Sequence, residues 1–163
     1  MNKQTDQHLK YFSKLEFHGQ FADVNPILLG KLDAYRAVVG KLIVSPVEGA
    51  VARYSGGTSQ HDVHTHGWSN AIDVFPIEKN NPEFVLEFLL KHAQRIFTGV
   101  GFYPQWHLNG EERIGLHLDV RKGNLAAWAG LPNPDWTRDN SEKRNIYVSL
   151  EEGLRRYREL NND

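Results

Sequence analysis

Cysteine is absent from the 163 residues. Disulfides, thiolate-held zinc and cysteine nucleophiles are thereby excluded, and any metal in this chain must be held by His, Asp or Glu. An excess of charge of either sign is lacking too, since 19 Lys and Arg oppose 20 Asp and Glu. A nucleic-acid binder needs a basic footprint and a membrane-surface helix needs a basic stripe, so neither nucleic acid nor a membrane is expected as a partner. No apolar run reaches the roughly 20 residues that cross a bilayer. Met1 to Lys14 is polar, without an apolar signal-peptide core, which leads to the expectation of a chain made in the cytoplasm. Internal repeats are missing, and the length with 40% hydrophobic residues suits one domain over residues 1–163 whose core needs no covalent staple.

What is present is concentrated. Ser59 to Asp73 packs three histidines, His61, His64 and His66, and two aspartates into fifteen positions. Histidine is the commonest metal ligand and an obvious general base, so such a cluster running into a strand invites a metal-site reading.

Around the cluster the chain alternates helical and extended signals. Asn25-Pro26 reads as a cap followed by proline at the first helical position, and Leu28, Leu29, Leu32, Tyr35 and Val39 recur at helical spacing until Gly40. A short β-branched strand is expected at 41–45 and a long glycine-rich loop at 46–67. In the strand 70–75, Ile72 and Val74 face one side while Ala71, Asp73 and Phe75 face the other. Asn81-Pro82-Glu83 signals a second helix, with Val85, Leu86, Leu89, Leu90, Ala93 and Ile96 on one face and Gly99 just beyond. A strand at 100–103 is expected to end at Pro104, followed by a loop over 105–113. From Ile114 to Arg121, Leu116, Leu118 and Val120 alternate with His117, Asp119 and Arg121, which puts polar chemistry on one face. Residues 131–145 read as a surface excursion, and a last helix starts at Ser149 with Glu152 as a capping box. Its apolar residues Leu150, Leu154, Tyr157 and Leu160 suit docking on this domain or on a protein partner. The fold class expected is α+β, a small antiparallel sheet flanked by helices.

Two strands thus each carry a metal-competent residue on a polar face, Asp73 and His117, and the intervening loop offers His61 and His66. Two histidines and a carboxylate with an open fourth position make a catalytic zinc site. His64, His18, His92 and His107 are read as structural or exposed.

Order, spacing and residue type together also resemble a known family. The segments Ser59-x-His61, Ala71-x-Asp73, Gly99-x-Gly101-x-Tyr103 and His117-x-Asp119-x-Arg121 look like those of the zinc D-Ala-D-Ala carboxypeptidases and the related phage L-alanyl-D-glutamate endopeptidases, which cut peptidoglycan stem peptides. Tyr11 to Phe17 and the helix from Asn25 to Arg36 look alike as well, so the likeness spans roughly residues 11–130. The resemblance implies a Hedgehog/DD-peptidase-like fold, a zinc ion held by two histidines and Asp73, and a peptidoglycan peptide as substrate. It also implies that Arg53 grips the substrate's terminal carboxylate with its guanidinium fork. A phage-encoded protein that reaches the cell wall by lysis or as part of a particle is compatible with it.

Two positions depart from the pattern. The family's seven-residue spacing from histidine to aspartate selects His66, whereas the Ser-Gln-His signature selects His61. Many members also carry an acidic residue three positions before the last histidine as general base, and here that residue is Ile114. The expected substitutes are Glu112, with Glu111 beside it, on the adjoining loop, and Asp119 on the strand, where Asp119 also suits orienting His117. Trp68, Trp106 and Trp128 suit the walls of a cleft or the core.

Overall fold

The computed structural model describes residues 8–79, 81–139 and 143–161. Within them the architecture is mixed α+β: a six-stranded, mostly antiparallel sheet and four helices. The order is α1 (Pro26–Val39), β1 (Leu42–Val44), α2 (Val63–His66), β2 (Ala71–Pro76), α3 (Glu83–Ile96), β3 (Gly99–Leu108), β4 (Glu111–Asp119), β5 (Ala126–Pro132), β6 (Asn145–Val148) and α4 (Leu150–Asn161). In the sheet the strands run β1-β2-β4-β3-β5-β6, and only β3 and β5 are parallel neighbours.

Local chemistry accounts for the helices. Asn25 caps α1 by accepting a hydrogen bond from the Ile27 N–H at 2.8 Å, Pro26 sits in the first turn, and Gly40 ends the helix at φ 85°. On α3, Leu86, Leu89, Leu90 and Ala93 are buried. At its entry Asn81 donates to the Glu78 carbonyl, and Pro82 precedes the first turn. Ser149 accepts from the Glu152 N–H at the start of α4. That helix docks on its own sheet, where a Cβ on Gly153 would fall 2.2 Å from the Ala129 Cβ and the Tyr157 hydroxyl donates to the Asn81 carbonyl.

Three strand expectations need correction. Pro104 does not end β3, because the β3–β4 register shifts between Tyr103 and Trp106 and the proline lies in that bulge, where no ladder hydrogen bond is asked of it. The loop expected at 105–113 is instead the outer arm of a hairpin, turned by Asn109 and Gly110 with φ of 54° and 81°, the pairing favoured for a tight two-residue turn. The excursion expected at 131–145 shrinks at both ends, since β5 reaches Pro132 and β6 starts at Asn145; residues 140–142 lie outside the described residues.

The sheet has two unlike faces. Ile72, Val74, Val100, Phe102, Ile114, Leu116 and Leu118 join Leu28, Leu29, Leu32, Leu86 and Leu90 in one buried cluster, so this is the face the helices cover. Residues of the other parity, among them Asp73, Gly101 and His117, present the opposite face.

Candidate metal centre

Asp73 and His117 are direct partners across β2 and β4. Beyond His117 the same row continues to Gly101 on β3 and Trp128 on β5. A glycine in that row is required: a Cβ on Gly101 would stand 2.8 Å from the Trp128 ring, which lies over the position and brings its centroid to 5.4 Å from that of His117. The neighbouring row repeats the device, because a Cβ on Gly99 would fall 2.1 Å from the Asp119 carboxylate oxygens. Gly99, expected just beyond α3 and within the Gly-x-Gly-x-Tyr segment, opens β3 as the seat for Asp119, while α3 ends at Ile96 with Phe97 as its cap.

The third member comes from the long loop. Arg53 and the segment 61–63 run side by side, with the Arg53 N–H donating to the His61 carbonyl and the Val63 N–H to the Arg53 carbonyl, both at 2.8 Å. Asp62 knots the loop: one oxygen accepts from Ser55 and Gly57, and the other caps the single turn of α2 through the Thr65 N–H at 2.9 Å. These bonds hold its carboxyl far below the usual carboxylate range against the opposing effect of burial. With Asp62 turned toward the loop, His61 faces the sheet, buried to 2% exposure.

His61 Nε2, His117 Nδ1 and Asp73 Oδ1 then form a triangle with sides of 3.2, 3.3 and 3.0 Å. Ligands about 2.0–2.1 Å from a tetrahedral ion stand about 3.3 Å apart, so three corners of such a site are present. The protonation pattern fits as well. His117 Nε2 lies 3.0 Å from Asp119 Oδ2, and since an ionised carboxylate only accepts, that nitrogen carries the proton. When a metal displaces the proton from Nδ1, that atom's lone pair points into the triangle, the arrangement by which metal-ligating histidines are oriented. In the same state His61 carries its proton on Nδ1, which is buried with no partner among the described residues. His117 is thus the better-held ligand. Among the described residues this is the group of His, Asp and Glu able to hold a metal ion. Two histidines and one carboxylate serve zinc, and the same set serves non-haem iron(II).

Electrostatics follow from this packing. Burial pushes the Asp73 carboxyl up, but hydrogen bonds from His117 and His61 outweigh it and bring it down to about 2. For His117, burial favours the neutral ring, yet the bonds to Asp119 and Asp73 prevail and raise it to about 9. Asp119, fully buried, is held well below the usual carboxylate range by His117 and Arg121 despite burial.

The other expected site residues separate by place. His66 stands on α2 with its Nε2 3.1 Å from the Ser59 carbonyl, outside the triangle; of the two alternatives, the structure brings in His61. His64 is exposed beside the Tyr54 ring. Arg53 lines the cleft over the triangle, and its Nε donates to the Gly49 carbonyl at 2.9 Å. Asp119 stands behind His117 with both oxygens occupied, by His117 and by the Arg121 backbone and guanidinium, so it orients the ligand and has no oxygen to offer as a base. Glu112 also fails as a base, because β4 is continuous from 111 to 119 and five residues of strand put it roughly 16 Å from His117. Glu111 pairs with Lys79, and Glu112 accepts from Gln105. Ile114 has the parity of Leu116 and Leu118 and is 2% exposed in the core, so an acid there would be buried under the helices and not at the triangle.

Compared with known proteins, the chain matches no family model, no curated protein and no solved structure. What is known of the centre is therefore its geometry. The cleft above it has a volume of about 780 Å³. Of the two places open to the tryptophans, Trp106 and Trp128 take the cleft wall, with Tyr103 stacked on Trp106 at 3.9 Å; Trp68 follows α2 and is not among the lining residues. Sequence reasoning missed Gly115 and Gly130 as further seats, where a Cβ would strike the Trp106 and Tyr103 rings. Glycine inside a strand signals such close approach.

Proposed function

We propose that this protein is a zinc-dependent peptidase of peptidoglycan stem peptides, with zinc held by His61, Asp73 and His117. The observation that carries the metal part is the triangle of three donor atoms 3.0–3.3 Å apart at the floor of a cleft. Substrate class and the Hedgehog/DD-peptidase-like fold rest on the sequence likeness around Ser59 to Asp73 and His117 to Arg121. A zinc ion held by these three residues would supply Lewis acidity toward a carbonyl and a bound water acidic enough to give hydroxide near neutral pH. The chain's own residues bind and orient: Arg53, on the cleft wall beside His61, presents a fork for the substrate's carboxylate, and Asp119 with Arg121 keeps His117 in the ligating tautomer. Tyr103, Trp106 and Trp128 shield one side from water.

A second reading has its own observation. With Ile114 in the core, Asp119 engaged and Glu112 far along β4, none of the carboxylates expected to serve as base reaches the centre. A protein of this fold that binds zinc and a wall peptide without cutting it, acting as a binding or phage structural module, matches that arrangement. Elemental analysis combined with digestion of purified peptidoglycan separates the two. Stoichiometric zinc with release of new peptide termini supports the peptidase, stoichiometric zinc without turnover supports the binding module, and absence of zinc after reconstitution rejects both.

A further inference from the structure

A carboxylate that is not a ligand lies in a smaller cavity beside the cleft. This cavity of about 250 Å³ adjoins the main one and shares Arg53, Asp73, Trp106 and Asn145 with it, and Glu48 is on its wall. Glu48 belongs to the loop that follows β1, and both ends of that loop are tied to Asp73 itself: the Ser45 N–H donates to the Asp73 carbonyl at 2.9 Å, and the Asp73 N–H donates to the Ala50 carbonyl at 3.0 Å. Between these ties the Ala50 N–H closes a turn onto the Val47 carbonyl, with Glu48 and Gly49 at its tip. Gly49, at φ 80°, leaves room for Arg53, whose Nε fastens the tip through the Gly49 carbonyl. The turn is thus held from the ligand side and from the substrate-binding side. No ion pair or side-chain hydrogen bond engages Glu48 among the described residues, whereas Glu111, Glu112 and Asp119 are all occupied.

We infer that Glu48, carried on the turn whose two ends are bonded to the Asp73 backbone, is the general base of the peptidase, taking the place of the acid that Ile114 replaces. The inference rests on the peptidase reading above. In the step it serves, the oxygen of a water molecule bonds to the scissile carbonyl carbon while Glu48 accepts a proton from that water. As the C–N bond breaks, Glu48 passes the proton to the departing nitrogen and returns to the carboxylate, leaving one new carboxyl and one new amine. His107 also lines the smaller cavity, but it lies on the outer hairpin arm opposite Glu112, roughly 16 Å along the strands from His117.

The test uses the full zinc-loaded chain as wild type, Glu48→Gln, Glu48→Asp and His107→Gln. Zinc content and circular dichroism are checked first, then turnover of purified peptidoglycan, then affinity for acetohydroxamate, a metal-seeking probe whose acidic proton a neighbouring carboxylate accepts. Glu48→Gln is expected to keep its zinc and fold, to lose about 10²- to 10⁴-fold in kcat with KM little changed, and to bind acetohydroxamate about tenfold more weakly or worse. Glu48→Asp recovers part of both losses, and His107→Gln changes neither. The inference is overturned if Glu48→Gln stays within about threefold of wild type in hydroxamate affinity, if it loses zinc, or if His107→Gln is the variant that fails. Wild-type protein that cleaves nothing rejects the peptidase reading by itself, and Glu48 is then rejected as base with it, whatever the hydroxamate result.

Discussion

Successive residues of β4 enter two different environments. Ile114, Leu116 and Leu118 are sealed under the helices, and their contribution is the removal of apolar surface from water. Gly115, His117 and Asp119 face the other way, where each is matched to a partner: Gly115 to the Trp106 ring, His117 to Asp73 and His61, Asp119 to Gly99 and Arg121. The helix-covered face tolerates exchange among apolar residues of similar volume. On the cleft face, the addition of one methyl group or the loss of one oxygen changes chemistry. On the zinc proposal, stability and metal binding are carried by alternate residues of a single strand, and substitutions on the two faces should separate them.

The largest effect expected is on metal. Asp73→Ala removes a ligand, and since loss of an outer partner alone costs 10- to 100-fold in metal affinity, zinc should weaken by more than about a hundredfold, measured by competition with a chromophoric chelator. The metal-free fold should remain, by circular dichroism. Leu116→Ala should do the reverse, lowering unfolding free energy by about 2–5 kcal/mol in urea titrations while zinc stoichiometry stays at the wild-type value in the cold. A shared loss of both properties in either variant would break the comparison between the faces.

Behind the ligands the effects become smaller. Asp119→Ala leaves His117 without the acceptor that fixes its tautomer and should weaken zinc by about 10- to 100-fold; Gly99→Ala, whose methyl group meets the same carboxylate, should move affinity in the same direction.

How these faces could be read from sequence depends on pattern strength. The first and third helices were legible because Leu28, Leu29 and Leu32, and Leu86, Leu89 and Leu90, recur at helical spacing between strong stop signals. In β4 the alternation of Leu116 and Leu118 with His117 and Asp119 gave both the strand and its polarity. The fifth strand carried no such alternation, since Ala126, Ala127, Trp128, Ala129 and Gly130 are mostly small, and what makes them a strand is pairing with β3 and β6. Pro104 hid the outer hairpin because its bulge depends on a register that local sequence does not carry. At the site, Asp73 and His117 were legible by parity. The choice between His61 and His66 was not, because it turns on Asp62 capping α2 and so turning His61 toward the sheet.

Two finer contrasts follow. His117 in the metal-free protein is raised from 6.5 to about 9 by its bonds to Asp119 and Asp73. A raised histidine stabilises the fold fully below its unfolded value and loses that contribution as pH climbs through the folded value. Tm of the metal-free protein should therefore fall across about pH 6.5–9 through this group, and the zinc-loaded protein should lack that fall, because the ligand nitrogen carries no proton. The smallest effect belongs to the covered face: Tyr157→Phe gives up the hydroxyl bond to the Asn81 carbonyl, lowering stability by about 1 kcal/mol without touching zinc affinity.

Zinc stoichiometry measured side by side on wild type, His61→Ala and His66→Ala bears most directly on the centre. The proposed centre predicts one zinc per chain in wild type and in His66→Ala, and weakened or absent binding in His61→Ala. Zinc retained at full affinity by His61→Ala but lost by His66→Ala would contradict the assignment of the triangle.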